Sequence, residues 1–244
     1  MGEVVRLLGR GQGERWYRIE NIADGYRGWV RAWGLVAMPP ARVAAWRRRA
    51  RGRPSRTWLE VRETPGGGPL VSPLFWGGRV IPGETRGRFR RVELPDGRRG
   101  WVESRGLAAG RSAVPRLEDR IGDLTGIPYL WGGKTPAGMD CSGLVQLLLA
   151  ERGVGLPRDA ADQERTCRPL APGERARVGD LAFFGPRPGP AGHVGVLIGG
   201  GRYAHARGQV RVNHLEPFNP LYDSELGDYF RGIRRPARGG SGPI

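Results

Sequence analysis

Lysine is almost missing from this chain: of 40 basic residues, only Lys134 is not an arginine. A skew that extreme reflects GC-rich coding as much as selection for a polyanion. With 24 acidic residues the formal charge is +16, enough to draw anionic partners through its long-range field. Nucleic acid and anionic wall polymer are the two candidates. No helix-turn-helix, zinc-finger or RRM pattern accompanies the charge, so nucleic acid is not expected as a partner. Cysteine is scarce too. Cys141 and Cys167 stand without metal spacing, which excludes a disulfide framework. An HExxH motif is absent, so the chain is not a zincin by sequence. No apolar run reaches the ~18 residues of a membrane span. The first residues, Met1 to Arg6, hold no hydrophobic signal core. The expected location is cytoplasmic as the chain stands, and periplasmic or secreted if a signal peptide precedes Met1.

What is present begins with a repeat. Gly25-Tyr26-Arg27-Gly28-Trp29-Val30-Arg31-Ala32-Trp33-Gly34-Leu35-Val36 returns 72 positions later as Gly97 to Ala108, with seven of twelve positions identical. Trp16-Tyr17-Arg18-Ile19 similarly aligns with Phe89-Arg90-Arg91-Val92. Each copy reads as a strand, a turn on Asp24-Gly25 or Asp96-Gly97, a second strand through the tryptophan, and an ending at Gly-Leu. Asp-Gly between strand-like segments is a strong hairpin signal. A repeated unit of short strands predicts a small β-barrel. The second copy has 20 more residues at its front, Leu59 to Gly78. The first copy therefore reads as truncated, with an unpaired edge. Three explanations stand: residues upstream of Met1, which is the favoured expectation, a degenerate first barrel, or another segment filling the gap. A basic linker, 39–57, is expected between the barrels at 1–38 and 58–110.

The chain then turns to a glycine-rich stretch, Tyr129 to Met139, that runs straight into Asp140-Cys141. Before it, Leu117, Ile121 and Leu124 fall at helical spacing; after it, Leu144, Val145, Leu147 and Leu148 do the same. Strands follow at Asp180 to Gly185, His193 to Gly199, Arg202 to Ala206 and Tyr229 to Ile233. Helices first and antiparallel strands after predict an α+β domain over 115–236, with a loose tail at 237–244.

A cysteine in the first turn of a helix meets the positive end of the helix dipole and free N–H groups, both favouring the thiolate. A neighbouring imidazole would act as base and then as acid to a leaving amine. Among three histidines, His193 and His205 lie on adjacent predicted strands. The sequence therefore permits Cys141 as nucleophile, His193 as base and His205 as orienter. On spacing alone a cysteine before an apolar helix is more often a small buried hydrophobe than a nucleophile. His214 and Cys167 read as surface and structural residues respectively.

The ordered string Tyr-x-Trp-Gly-Gly, Asp-Cys-Ser-Gly-Leu-Val, Gly-Asp-Leu-x-Phe-Phe, Gly-His-Val-Gly-Val and Ala-His-Ala closely resembles the NlpC/P60 family of cysteine peptidases. The two N-terminal repeats resemble bacterial SH3 (SH3b) domains. Together with Pro157-Arg158-Asp159, the whole is similar to the γ-D-glutamyl-L-diamino-acid endopeptidase subgroup. The resemblance implies a papain-like domain that cleaves cell-wall muropeptides with a free N-terminal L-alanine; hydrolysis of intact stem peptides, and non-catalytic binding of wall or another polyanion, are the alternatives. It implies Cys141 as nucleophile, His193 as base, His205 in the third polar position and Tyr129 beside the nucleophile. It places Asp159 against the substrate ammonium, and Asp140, Ser142 and Trp131 at the D-glutamate end. Capping, packing and core roles for these four stand beside that reading. No metal or organic cofactor is called for, and a monomer is expected.

Overall fold

The computed structural model describes residues 1–11, 13, 15–109 and 114–237. The expected tail therefore lies outside the described residues, except for its first position. The chain divides into two compact units, Met1–Ala113 and Val114–Ile244.

In the first unit, β1 (Val5–Arg10), β2 (Trp16–Asn21) and β3 (Arg27–Arg31) form an antiparallel meander. After α1 (Pro40–Arg49) and β4 (Gly52–Pro54) come β5 (Trp58–Thr64), β6 (Gly67–Phe75), β7 (Ile81–Arg86), β8 (Phe89–Glu93), β9 (Arg99–Glu103) and β10 (Leu107–Ala109). The order β6-β5-β9-β8-β7 makes a five-stranded sheet, and β10 pairs with β4. The repeat is visible in the turns. Asp24 Oδ1 accepts the Tyr26 N–H at 3.0 Å and Asp96 Oδ1 accepts the Arg98 N–H at 3.0 Å. Gly25 and Gly97 follow at positive φ, 72° and 86°, which an L side chain rarely adopts.

Thus β1-β2-β3 repeats β7-β8-β9, and the first copy has no counterpart of β5 and β6 among the described residues. That difference sets the packing. The second copy encloses Leu59, Val61, Leu74, Val80, Val92, Leu94, Val102 and Leu107, whereas Trp16 and Trp29 of the first remain exposed. The expected closed barrels are not seen in the strand pairing. Among the described residues, no pairing joins β6 to β7, so the five-stranded sheet stays open.

The stretch expected as a linker carries its own structure. Pro40 at the first turn and arginines in the last suit a helix. Its Trp46 is buried with Ala50 and Ile81, and the indole N–H donates to the Gly2 carbonyl at 3.1 Å.

The second unit is mixed α and β. It contains α2 (Leu117–Leu124), the two-residue strands β11 (Lys134–Thr135) and β12 (Gly138–Met139), α3 (Cys141–Ala150) and α4 (Ala160–Thr166). Then follow β13 (Arg168–Pro169), β14 (Leu181–Phe184), β15 (His193–Gly199), β16 (Arg202–Arg207), β17 (Gln209–His214), α5 (Ser224–Asp228) and β18 (Phe230–Arg235). The strands form one antiparallel sheet in the order β13-β18-β14-β15-β16-β17. Nine consecutive residues of α3, Cys141 to Leu149, are buried, so the helix is enclosed all round, and it sits against β15 and β16. Arg235 closes the sheet from below with a bidentate pair to buried Asp180, at 2.7 Å on each arm. No helix among the described residues is long and apolar enough to cross a membrane.

Candidate active site

The start of α3 is fixed by Asp140. Its Oδ1 accepts the Gly143 N–H at 2.7 Å, which caps the helix, and its Oδ2 accepts the Gly132 N–H at 2.8 Å. Arg158 then clamps both oxygens, Nη1 at 2.9 Å and Nη2 at 2.5 Å, and Nη1 also donates to Ser142 Oγ at 2.9 Å. Glycine is required where the loop crosses the helix. A Cβ on Gly143 would stand 2.5 Å from the Gly133 carbonyl oxygen. The glycine loop therefore lies directly on the first turn, with Cys141 at its rim. Tyr129 is aligned beside this point by a bridge to Met139, and its N–H donates to the Gly208 carbonyl at 2.8 Å.

The histidines arrive by sheet register. Val196 pairs with Ala204, so Gly195 faces His205 and His193 is the diagonal neighbour of His205 on the same face. A Cβ at Gly195 would come 2.6 Å from the Tyr203 ring and 3.3 Å from His205 Cβ, so the residue between the histidines has no room for a side chain. His193 Nε2 lies 2.8 Å from His205 Nδ1, and His205 Nε2 lies 2.7 Å from Asn213 Oδ1.

This network assigns the protons. Asn213 Nδ2 donates to the Leu221 carbonyl at 2.6 Å, which turns its Oδ1 toward His205. Arg211 Nε donates to that same oxygen at 2.9 Å. An oxygen there makes His205 Nε2 the donor, so its Nδ1 accepts from His193 Nε2–H. The free lone pair of His193 is then on Nδ1.

The backbone N–H groups of Val194, the residue after His193, of Ser142 and of Cys141 itself favour negative charge on the Cys141 sulfur. Burial nevertheless pushes the thiol up, and the Asp140 carboxylate adds to this; the N–H groups act in the opposite direction. The thiolate expected from the helix terminus alone is thus opposed by burial. Burial also pushes His193 down to about 3, helped by His205 and Arg207, and His205 down to about 4. Tyr129 is raised by burial and by Cys141. Both shifts favour the uncharged forms, so burial opposes a thiolate–imidazolium pair.

The structure thus gathers Cys141, His193, His205 and Tyr129. Asp140 and Ser142 are buried beside them, with side chains engaged by Arg158. Trp131 is not core: it is 85% exposed on the glycine loop. Asp159 occupies the cap position of α4 without capping it through its side chain, and it is exposed. His214, expected at the surface, is buried. Its Nε2 bonds the Gly200 carbonyl at 2.7 Å and its Nδ1 accepts the Glu216 N–H at 3.0 Å, so it pins a turn. Cys141 and Cys167 are both free and buried. Two residues were missed from sequence, Asn213 and Arg158. Only Arg158 left a signal, as a basic neighbour of the Pro-Arg-Asp motif. No metal-binding cluster occurs among the described residues.

The chain is similar to known proteins over its second unit. Residues 126–231 match the NlpC/P60 family. A γ-D-glutamyl-L-lysine dipeptidyl-peptidase of Bacillus subtilis is 40% identical over 104 residues, covering 41% of this chain and 35% of its own. The peptidoglycan endopeptidase RipB of Mycobacterium tuberculosis is 38% identical over 123 residues, covering 45% of this chain and 50% of its own. The chain thus spans between a third and a half of the length of these curated relatives. A crystal structure of an NlpC/P60 family protein from Bacillus cereus superposes with a TM-score of 0.77 at 22% identity, covering 96% of this chain and 79% of that one, a likeness of fold.

Proposed function

We propose, on the premise that residues 126–231 are an NlpC/P60 peptidase domain, that this chain hydrolyses the γ-D-glutamyl–diamino acid bond of cell-wall muropeptides. The observation that carries this reading is the relay behind the thiol. Cys141 opens α3, which packs on β15, and His193 at the head of β15 is held by His205 and Asn213 with its Nδ1 lone pair unspent. Names of relatives that act on γ-D-glutamyl-L-lysine and on peptidoglycan support the substrate class.

The chemistry runs in two halves. Cys141 Sγ attacks the γ-carbonyl carbon as His193 Nδ1 takes the thiol proton. The tetrahedral oxyanion is met by backbone N–H at the start of α3, with the Tyr129 hydroxyl at its side. The C–N bond breaks as imidazolium protonates the departing α-amine. Water then attacks the thioester, giving its proton to His193 and restoring the thiol. His205 and Asn213 keep the imidazole in the tautomer that both halves need.

Trp131 and the Asp140–Ser142 turn border the D-glutamate end in this reading, and Asp159 takes the free ammonium of L-alanine. The two repeats are SH3b-like modules; the shared Asp-Gly turns and Gly-Leu endings support this. Exposure of Asp159 favours a second reading in one respect. An exposed carboxylate discriminates less sharply against an acylated amine than a buried one. Rates on L-Ala-γ-D-Glu-diaminopimelate and its N-acetyl form decide between them. A large preference for the free amine supports the muropeptide reading, and equal rates favour intact stem peptides. A Cys141→Ala protein that keeps full activity would overturn both.

A further inference from the structure

Beside the relay lies a cavity of about 230 Å³, lined by Tyr129, His193, Arg207, Glu225, Leu226 and Tyr229 among others. Cys141 is not in its wall, whereas the imidazole is. The imidazole gives its proton to the departing amine, so the residue that departs belongs on the imidazole's side. Under the function proposed above, that residue is a diamino acid. It carries a methylene chain ending either in an ammonium alone, as in lysine, or in an ammonium and a carboxylate, as in diaminopimelate.

The two charged residues of the lining, Arg207 and Glu225, belong to a matched set with Asp223 and Arg211 behind them. Arg207 Nη1 bonds Asp223 Oδ2 at 2.7 Å, and its Nη2 pairs with Glu225. Asp223 Oδ2 also holds Arg211 at 2.7 Å, while its Oδ1 caps α5 through the Leu226 N–H at 3.1 Å. Two guanidinium groups and two carboxylates leave the cluster neutral. Its members differ in freedom. Asp223 is fixed by three partners, whereas the Glu225 side chain is 70% exposed and held by Arg207. Glu225 is thus the arm that can swing to an incoming ammonium, leaving an arm of Arg207 for a carboxylate. Leu226 and Tyr229 offer apolar surface to the methylenes.

We propose that the Arg207–Glu225 pair reads the far end of the departing diamino acid and selects one that ends in both ammonium and carboxylate. A zwitterionic end adds no net charge to a neutral cluster and replaces one ion pair by two. A lysine end adds one positive charge next to Arg207 and Arg211, and leaves the freed guanidinium arm without a carboxylate. One charge-assisted contact at a partly exposed site corresponds to about a tenfold preference.

The test measures kcat/KM of the full chain on L-Ala-γ-D-Glu peptides ending in diaminopimelate, in diaminopimelate with its distal carboxyl amidated, and in lysine. The expected order is the free diaminopimelate peptide about tenfold ahead of the other two. Arg207→Gln should bring that ratio near one, and Glu225→Gln should lower the rate on all three peptides. The readout is a ratio between substrates on one preparation, so partial unfolding of a variant cancels; Arg207→Lys, with a single-point charge, should give an intermediate ratio. Equal rates in the wild type, or a ratio that survives Arg207→Gln, overturn this inference and leave the peptidase reading standing. Hydrolysis of none of the three, while iodoacetamide still alkylates Cys141, overturns both.

Discussion

His193 Nε2 and His205 Nδ1 are 2.8 Å apart, with the two rings nearly perpendicular at 87°. The contact is between two neutral imidazoles, so its direction is set from outside, by Asn213 and ultimately by the Leu221 carbonyl that orients it. A side-chain hydrogen bond to a loop carbonyl thus decides which nitrogen of His193 can act as base.

Replacing Asn213 by alanine removes that decision. His205 can then carry its proton on either nitrogen, and His193 with it. We expect kcat to fall on the order of a hundredfold with KM little changed, since a wrong tautomer removes the base without removing binding. Steady-state kinetics check this. Nitrogen-15 shifts of the two imidazoles should move from a single tautomer to a mixture, and an unchanged spectrum would show that Asn213 does not set it.

The pH response follows from the same burial. Both histidines are lowered in the folded chain, to about 3 and about 4. Between those values and 6.5 the unfolded chain binds protons that the folded one does not. Stability therefore falls as pH drops below 6.5, by at most about 1.4 kcal/mol per pH unit for each histidine. Cys167 is raised to about 11 by burial, so it acts in the other direction: its share is present below pH 9 and is lost as pH rises toward 11. Denaturant midpoints should peak between pH 6.5 and 9. The imidazole resonances of His193 and His205 should stay those of the neutral ring at pH 5.5, and a midpoint near 6.5 in that titration would refute the burial argument.

The part of this site legible in the sequence is the part that chain neighbours determine. The glycine loop, the Asp140 cap and the apolar face of α3 lie within twenty residues and follow local rules. His193 and His205 could be paired because a tight glycine turn joins their strands. Asn213 could not, because only the register of β16 against β17 brings it to His205. Arg158 was hidden for a similar reason, its partner Asp140 being 18 residues earlier across a loop. Trp46 lay inside an arginine run whose charge masked a buried indole. Trp131 was ambiguous because a glycine loop has no periodicity from which to read a buried face.

Arg158 gives the stability prediction. Its guanidinium and the Asp140 carboxylate are both largely buried, 11% and 8% exposed, and form two bonds. Arg158→Ala leaves a buried carboxylate with the N–H donors of Gly132 and Gly143 and the longer Ser142 hydroxyl contact at 3.4 Å, and no cation. The loss should be on the order of 3 kcal/mol, the lower part of the range for breaking a buried pair. Urea unfolding of the variant measures it. Because Asp140 also caps α3, Asp140→Asn should cost less than Arg158→Ala, for it keeps an acceptor and removes the charge that needs a partner.

Trp131 separates substrate contact from structure. The ring is exposed, and the loop that carries it is held by backbone: the Gly132 N–H to Asp140 at 2.8 Å and the Gly133 N–H to the Leu130 carbonyl at 2.8 Å. Removing the ring takes nothing from the packing, so Trp131→Ala should leave the unfolding midpoint within about 0.5 kcal/mol of the parent. If the ring borders the D-glutamate end, the same variant should raise KM roughly tenfold and keep most of kcat, the pattern of lost binding that is equal in ground and transition states. Unchanged KM would remove Trp131 from the substrate path. A fall in stability would show instead that the ring packs against something, contrary to its exposure.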